Sequence, residues 1–231
     1  NSAGTAIAGN LTVAGGTATL QAADQIADGK NVVVTSGTLD VASFNDTVNG
    51  VQITGGTITG TTGALTSTTA FDLQAGTVSA ILGGTAGANK TTAGTVTLSK
   101  TNTYTGATTV SAGTLTLGHA TNTLADASTV VVSGGTLDLG GNADTVAGVQ
   151  QTGGTIQNGT LTSTTAFDMQ AGTASANLAG AVGLDKTTAG TTTLSGTNTY
   201  TGTTTVSAGN LNLNSAGTAI AGNLTVAGGT A

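Results

Sequence analysis

Short stretches of alternating apolar and polar residues recur along the whole chain. At positions 114–117 the sequence Thr-Leu-Thr-Leu places both Leu side chains on one side of an extended backbone and both Thr side chains on the other. Phe-Asp-Leu-Gln at 71–74 alternates in the same way. A period of two residues is the signature of a β-strand with one buried face. The pattern therefore predicts many short strands, two or three in each repeating unit.

A small-residue turn precedes each alternating stretch at a nearly constant interval. We align the units on the Gly that precedes the alternation, and the eleven spacings between these anchors range from 18 to 22 residues. The anchors are Gly16, Gly37, Gly56, Gly76, Gly94, Gly113, Gly135, Gly154, Gly172, Gly190, Gly209 and Gly229. A unit of this size cannot bury its apolar face alone, whereas stacked units bury a continuous interior.

The period predicts an all-β fold, a right-handed parallel β-helix with about 18–22 residues per coil and about 11–12 coils. Neighbouring strands would lie ~4.8 Å apart, so eleven coils would form a rod roughly 50 Å long. A leucine-rich repeat has a similar period. It is disfavoured because no unit carries the Leu-rich consensus, and because Thr, Val and Gly are poor helix formers.

Longer repeats are superimposed on this period. Residues 65–72 return unchanged at 161–168, and residues 1–18 are identical to residues 214–231 at all eighteen positions. We interpret residues 1–231 as one continuous β-helix segment, a window of a longer tandem array. Its 213-residue block would occupy residues 1–213, and the next block would begin at residue 214.

Composition narrows the functional classes. Charged residues make up 6% of the chain, the formal net charge is −6, and Arg and Cys are absent. Without a basic patch the sequence does not predict nucleic-acid binding. It contains no apolar run of about 18 residues that would span a membrane. Thr is β-branched and suits strands. Thr follows every anchor except Gly209, which precedes Asn210, and this predicts a Thr ladder on the outer face: Thr17, Thr38, Thr57, Thr77, Thr95, Thr114, Thr136, Thr155, Thr173 and Thr191.

Two segments resemble a known family. Residues 92–117 and 188–213 share Gly-Thr-x-x-Leu-Ser, then Asn-Thr-Tyr-Thr-Gly, then Thr-Thr-Val-x-Ala-Gly-x-Leu. They look like the passenger-associated transport repeat, also called the autotransporter-associated β-strand repeat. The resemblance implies a right-handed β-helical passenger that is exported to the cell surface, and repeats that are associated with efficient secretion. The repeated Asn102 and Asn198 are expected to bond locally at corners and to tolerate the left-handed region.

The sequence predicts that the protein is not an enzyme and that it binds no cofactor. Asp40 and Asp138 hold the same place in their units but would lie five coils apart, roughly 24 Å, which is too far for a pair of catalytic carboxylates. His119 is the only histidine and has no evident partner. No metal site is predicted beyond one isolated calcium candidate, formed by Asp24 and Asp28 in a single loop.

One pattern of charges predicts contacts between coils. Asp72 lies four residues before Gly76, and Lys90 lies four residues before Gly94. Asp168 and Lys186 repeat this relation in the second copy. If the anchors stack, the Asp72–Lys90 and Asp168–Lys186 pairs would form at the surface, each stabilising by about 0–1 kcal/mol.

The sequence is compatible with three functions. The first is a structural repeat of a large secreted or cell-surface bacterial protein, which forms a rigid stalk, sheath or filament. Its partners would be further copies of itself, joined covalently or stacked head to tail. The second is an adhesin passenger that binds a surface or host ligand. The third is an ice-binding β-helix, which would need a regular array of paired Thr residues.

Overall fold

The chain forms a stack of β-coils. The computed structural model describes residues 4–231, so the first three residues of the predicted segment lie outside the described part. In chain order the strands are β1 (Leu11–Val13), β2 (Thr17–Thr19), β3 (Asn31–Val34), β4 (Thr38–Asp40), β5 (Asp46–Val48), β6 (Gly50–Ile53), β7 (Thr57–Ser67), β8 (Phe71–Leu73), β9 (Gly76–Gly83), β10 (Ala88–Lys90), β11 (Thr95–Leu98), β12 (Thr108–Val110), β13 (Thr114–Leu117), β14 (Thr129–Val132), β15 (Thr136–Asp138), β16 (Ala143–Val146), β17 (Gly148–Gln151), β18 (Thr155–Gln157), β19 (Thr160–Ser163), β20 (Phe167–Met169), β21 (Gly172–Ala174), β22 (Asn177–Ala179), β23 (Leu184–Lys186), β24 (Thr191–Leu194), β25 (Thr204–Val206), β26 (Asn210–Leu213) and β27 (Leu224–Val226).

These strands build two long parallel sheets, one on each of two sides of the stack. The first sheet contains twelve strands in the order β1-β3-β6-β8-β10-β12-β14-β17-β20-β23-β25-β27. The second also contains twelve, in the order β2-β4-β7-β9-β11-β13-β15-β18-β21-β24-β26 with β5 paired to β7. All the strand ladders between residues 4 and 231 are parallel, as in β1–β3 and β25–β27. The predicted all-β parallel solenoid is therefore confirmed.

A third side is partly paired. β7 turns a corner, so that Thr57–Thr59 pair with β4 and β9, whereas Leu65–Ser67 pair with β5. In the later coils the same side is a separate three-stranded sheet, β16-β19-β22. Between residues 4 and 231 the structure contains no helix, and hence none long and apolar enough to cross a membrane.

The interior is a column of apolar side chains that alternate with outward polar ones. In β13 the pattern is half-buried Thr, buried Leu, half-buried Thr, buried Leu, as the sequence predicts. Val32, Val34, Leu115 and Leu137 have no accessible surface. Each coil covers the apolar face of its neighbour, because a single coil of about 19 residues is too small to bury its own apolar side chains.

Candidate functional site

The coils that contain Asn-Thr-Tyr-Thr-Gly bury polar groups. Asn102 is 2% exposed, and its Oδ1 accepts a hydrogen bond from Leu82 N at 2.9 Å. Its Nδ2 donates to Lys100 O at 3.0 Å and to Thr123 O at 2.8 Å. Leu82 and Thr123 belong to the coils before and after, so this one amide joins three coils.

Asn198 repeats this arrangement, with Oδ1 accepting from Leu178 N at 2.8 Å and Nδ2 donating to Ala219 O at 2.7 Å. The expectation of a left-handed corner at Asn102 and Asn198 is wrong. Neither residue is among those with positive φ, and both side chains point inward because their bonds run between coils.

The Tyr of the same motif fills the interior. Tyr104 and Tyr200 have no accessible surface, and their rings lie 5.8 Å from Phe71 and 5.9 Å from Phe167, between ring centres. The hydroxyl of Tyr104 lies 2.8 Å from Thr108 Oγ1, so its polar end is satisfied. Burial raises the pKa of both Tyr hydroxyls. These rings are therefore packing elements with a fixed hydrogen bond, and they are not exposed acids.

Lys90 points into the interior and does not reach Asp72 across the surface. It is fully buried, and its Nζ donates to Thr92 O and, at 3.3 Å, to Ala112 O. Burial lowers the pKa of this amine, and the charge of Asp72 partly opposes the shift. Lys186 makes the same contacts with Thr188 O and Ala208 O.

The predicted Asp72–Lys90 and Asp168–Lys186 surface pairs are wrong in register. Counting from the Gly anchors places Lys90 opposite Asp72 and Lys186 opposite Asp168. In the structure the partners are Asn89 and Asp185, one residue earlier, because the corner between the strands shifts their register by one residue. A shift of one residue turns the following Lys to the other face of the sheet.

Both carboxylates bind amides instead. Asp72 Oδ2 accepts from Gln52 Nε2 at 2.6 Å and from Gln74 Nε2 at 2.8 Å. Asp168 Oδ2 has the equivalent bonds from Gln150 and Gln170, at 2.7 Å and 2.8 Å.

The Thr ladder is divided by a second register shift. Thr17, Thr38, Thr57 and Thr77 lie opposite one another in sequence. Thr77 then lies opposite Thr97, two residues beyond the predicted Thr95.

A second run follows and ends in the same way. It consists of Thr95, Thr114, Thr136, Thr155 and Thr173. Thr173 lies opposite Thr193 rather than Thr191, whose own partner is Asn210. A shift of two residues keeps the outward face but interrupts the row.

Two carboxylates inside the stack were missed by the sequence analysis. Asp46 and Asp144 are 1% and 2% exposed. Oδ2 of Asp46 accepts from Gln25 N and Ile26 N, and Oδ2 of Asp144 accepts from Thr123 N and Leu124 N, all at 2.8–3.1 Å. A signal existed: Asp-Thr-Val at 46–48 and again at 144–146 puts each Asp in the same phase as a buried Val.

Burial raises the pKa of both carboxyl groups, that of Asp144 to about 6. The calcium candidates Asp24 and Asp28 lie close enough to Asp46 for their charges to add to its shift. In the part of the chain that the structure describes, no group of three or more His, Asp or Glu side chains is placed to hold a metal ion. His119 contacts Thr121 O through Nδ1 at 2.6 Å.

Comparison with protein families finds a match in three stretches. The passenger-associated-transport-repeat matches residues 89–117, 111–139 and 184–213, roughly a third of the chain. The chain carries passenger-associated-transport repeats. Comparison with curated proteins and with solved structures finds no match.

Two of the matched stretches contain the buried Lys, Asn and Tyr residues described above. Lys90, Asn102 and Tyr104 lie in the first match, and Lys186, Asn198 and Tyr200 lie in the third. The first and third matches contain the two stretches that resemble the repeat by sequence, whereas the match at residues 111–139 was not predicted. The signal there is Gly-Thr-Leu-Asp-Leu at 135–139, which follows the Gly-Thr-Leu-Thr-Leu of 113–117 after one coil.

Proposed function

We propose that this chain is a rigid spacer in the passenger region of a protein that is exported to the bacterial cell surface or secreted. The observation that carries this proposal is the first sheet, whose twelve parallel strands run without interruption from β1 to β27. Each of its coils is hydrogen-bonded to the next, so bending the rod at any point would break backbone bonds. A stalk or filament needs this resistance to bending.

The repeat family supports export. Passenger-associated-transport repeats point to an autotransporter passenger, and hence to an extracellular or surface location. The absence of Cys suits a chain that crosses a narrow pore unfolded, because no disulfide can form on the way.

Tandem copies would lengthen the rod. Residues 214–231 repeat residues 1–18, so β27 has the sequence of β1, on which β3 stacks. We propose that further copies of the block, covalent or stacked, extend the rod by the same pairing.

The other functions have less support. The acidic residues of matching coils are engaged with their own turns: Asp40 Oδ1 accepts from Ala42 N and Asp138 Oδ1 from Gly140 N. This arrangement, like the repeat family, favours a structural passenger over an enzyme. An ice-binding face needs a pair of Thr residues on each coil, in register with the pair on the next coil. Among the described residues, Thr95 and Thr97 lie opposite Thr114 and Thr116, but Asp138 replaces the second Thr in the following coil. So short an array of Thr pairs is a poor match to the ice lattice.

Rod length tests the proposal. Proteins with one and two copies of the 213-residue block should differ by about 50 Å in maximum dimension in small-angle X-ray scattering. When the same proteins are fused to the N-terminus of an outer-membrane barrel, an epitope at their own N-terminus should be accessible to antibody on intact cells. A two-block protein no longer than the one-block protein would contradict the spacer function.

A further inference from the structure

Two equivalent grooves open on the outer face of the first sheet. The first has a volume of about 280 Å³ and lies around Gly50, next to Gln52 and Asp72. A Cβ added at Gly50 would lie 3.0 Å from Thr69 Oγ1 and 3.1 Å from Asn31 Oδ1. The missing side chain at Gly50 therefore keeps this groove open.

The second groove occupies the same place in the later coils. It has a volume of about 310 Å³ and lies around Gly148, next to Gln150 and Asp168. A Cβ at Gly148 would lie 2.9 Å from Thr165 Oγ1. The wall formed by Asn31 in the first groove is formed by Thr129 in the second. The two grooves thus have the same arrangement of an Asp carboxylate, a Gln amide, a Gly and a Thr hydroxyl.

The carboxylate of each groove is held in place. Two Gln amides bind Oδ2 of Asp72, and two bind Oδ2 of Asp168, from the preceding coil and from the same strand region. No bond from the described residues reaches Oδ1 of either Asp, so this oxygen can accept from a ligand. The fixed oxygen and the Gln amides offer an acceptor and a donor side by side.

The chemistry of the lining favours a neutral polyhydroxylated ligand. Neither groove is lined by a Lys, which argues against a phosphate or sulfate group. The hydroxyl groups of a sugar can hydrogen-bond to the carboxylate, amide and Thr oxygens that line each groove. The half-buried Val33 or Val131 offers an apolar contact for the carbon face of the sugar ring. The two volumes lie just below and just above the lower limit of small-molecule sites, about 300 Å³, which suits a single sugar unit.

A peptide strand is disfavoured at this face. The central strands β6 and β17 already pair on both sides, β6 with β3 and β8, and β17 with β14 and β20. A peptide could add to this sheet only at its ends, where backbone groups are free. The grooves therefore depend on side chains alone for recognition.

We propose that each groove binds one sugar unit of a neutral polysaccharide, and that one polysaccharide chain occupies both grooves. In the first sheet β6 and β17 are separated by five strand steps, so the grooves lie roughly 24 Å apart along the rod axis. Both face the same side. Occupation of the second groove by the same polymer is intramolecular, and such linkage raises apparent affinity by about 10²–10⁴-fold.

The test uses the whole chain and blocks the grooves one at a time. Ala70 and Ala166 are exposed lining residues, so Ala70→Leu and Ala166→Leu fill the grooves without entering the interior. Ala107→Leu is the matched control. Phe71 N bonds to Gly87 O and Ala88 N bonds to Ala107 O, which places Ala107 in the same exposed column, two coils beyond Ala70.

Retention is measured by affinity electrophoresis in gels that contain soluble neutral glucans, mannans or galactans, with heparin as the charged comparator. The wild-type chain should be retarded by at least one neutral polymer. Each single variant should weaken that retardation at least tenfold, and the double variant should abolish it, because loss of one groove removes the bivalent gain. Ala107→Leu should leave it unchanged.

A second pair of variants excludes a folding effect. Asp72→Asn and Asp168→Asn alter only the outward carboxylates, so circular dichroism should not change while retention falls. Retardation by heparin alone, by no neutral polymer, or equally in the wild type and the double Leu variant would overturn the proposal. Rod length needs no ligand, so failure here leaves the spacer function separately testable.

Discussion

The first half-block (residues 31–117) and the second half-block (residues 129–213) follow the same path but bury different groups. Ile53 in the first half-block corresponds to Gln151 in the second, and Val96 corresponds to Thr192. All four are buried. Gln151 Nε2 bonds to Gly154 O and Thr173 O, but no described donor reaches its Oε1. The second half-block therefore buries more polar surface within the same coils.

What the halves share is more informative. The inward Asn, Tyr, Lys and Asp residues recur in both with equivalent partners. The bonds of Asn, Lys and Asp reach neighbouring coils, whereas those of Tyr stay within one coil. Apolar columns tolerate small shifts of one coil over another, whereas hydrogen bonds between coils do not. We infer that the shared polar residues fix the register, and that the apolar positions can vary between the halves.

The largest effect is expected at the buried Asn residues. Asn102→Leu leaves Leu82 N and Lys100 O without this partner, and an orphaned buried group costs about 1–3 kcal/mol, whereas Thr123 O keeps its bond from the backbone N–H of residue 102. The free energy of unfolding should fall by roughly 2–4 kcal/mol in urea titrations. Asn198→Leu should have a similar effect. Asn89→Leu, at an outward position, is the control, and an equal loss there would contradict this role.

The next effect is a pH dependence from the interior carboxyl groups. Since burial raises the pKa of Asp144 from 3.8 to about 6, the folded chain holds a proton that the unfolded chain has lost between these values. Stability should therefore fall as pH rises from 4 to 7, by up to about 3 kcal/mol.

Asp144→Asn should flatten that part of the curve, as measured by urea unfolding at each pH. Asp46→Asn should act in the same direction, because burial raises the pKa of Asp46 as well. Asp126→Asn removes one of the charges that raise the pKa of Asp144, so it should reduce the slope by a smaller amount. A wild-type profile that rises with pH over this range would be inconsistent with buried, protonated carboxyls.

A smaller change should follow from exchanging the buried side chains between the halves. Gln151→Ile removes an amide oxygen that has no donor, and it should raise the unfolding free energy by about 1–2 kcal/mol. Ile53→Gln should lower it by a similar amount. Differential scanning fluorimetry of both variants decides the point, and destabilisation by Gln151→Ile would show that its two hydrogen bonds outweigh the orphaned oxygen.

The smallest effect lies on the surface. Asp168 lies opposite Asp185 in the second half-block, whereas Asp72 lies opposite the neutral Asn89 in the first. Like charges on paired strand positions repel, so Asp185→Asn should stabilise by about 0.2–1 kcal/mol, and Asn89→Asp should destabilise by as much. Both differences should shrink in 1 M salt. Differences that do not depend on salt would assign the effect to packing.

The alternation of residues predicted the strands and the stacked coils, because burial of one face needs only a period of two. It did not predict the contacts of Lys90 or Thr77. Counting residues from the Gly anchors assumes that every corner has the same number of residues. The partner of Gly76 is Val96 and not the anchor Gly94, and the partner of Asp72 is Asn89 and not Lys90. Corner lengths depend on turn conformation, and the φ of 123° at Gly76 differs from the 69° at Gly56. The linear sequence does not show this difference.

The grooves could not be predicted for a related reason. Gln52 and Asp72 are twenty residues apart and become neighbours only through the ladder between β6 and β8. The outward column of the first sheet passes through Thr12, Thr109 and Thr205 at intervals of five strand steps. This interval follows from the order in which the strands stack, so it can be recognised only once the strand register is known.

That column also provides the most direct test of the stack. The chain lacks Cys, so spin labels can be placed singly or in pairs at Thr12→Cys, Thr109→Cys and Thr205→Cys. Pulsed dipolar spectroscopy should give narrow distributions near 24 Å for 12–109 and for 109–205, and near 48 Å for 12–205, from ~4.8 Å per strand step. Broad distributions, or a 12–205 distance that is not the sum of the other two, would contradict a continuous rigid solenoid.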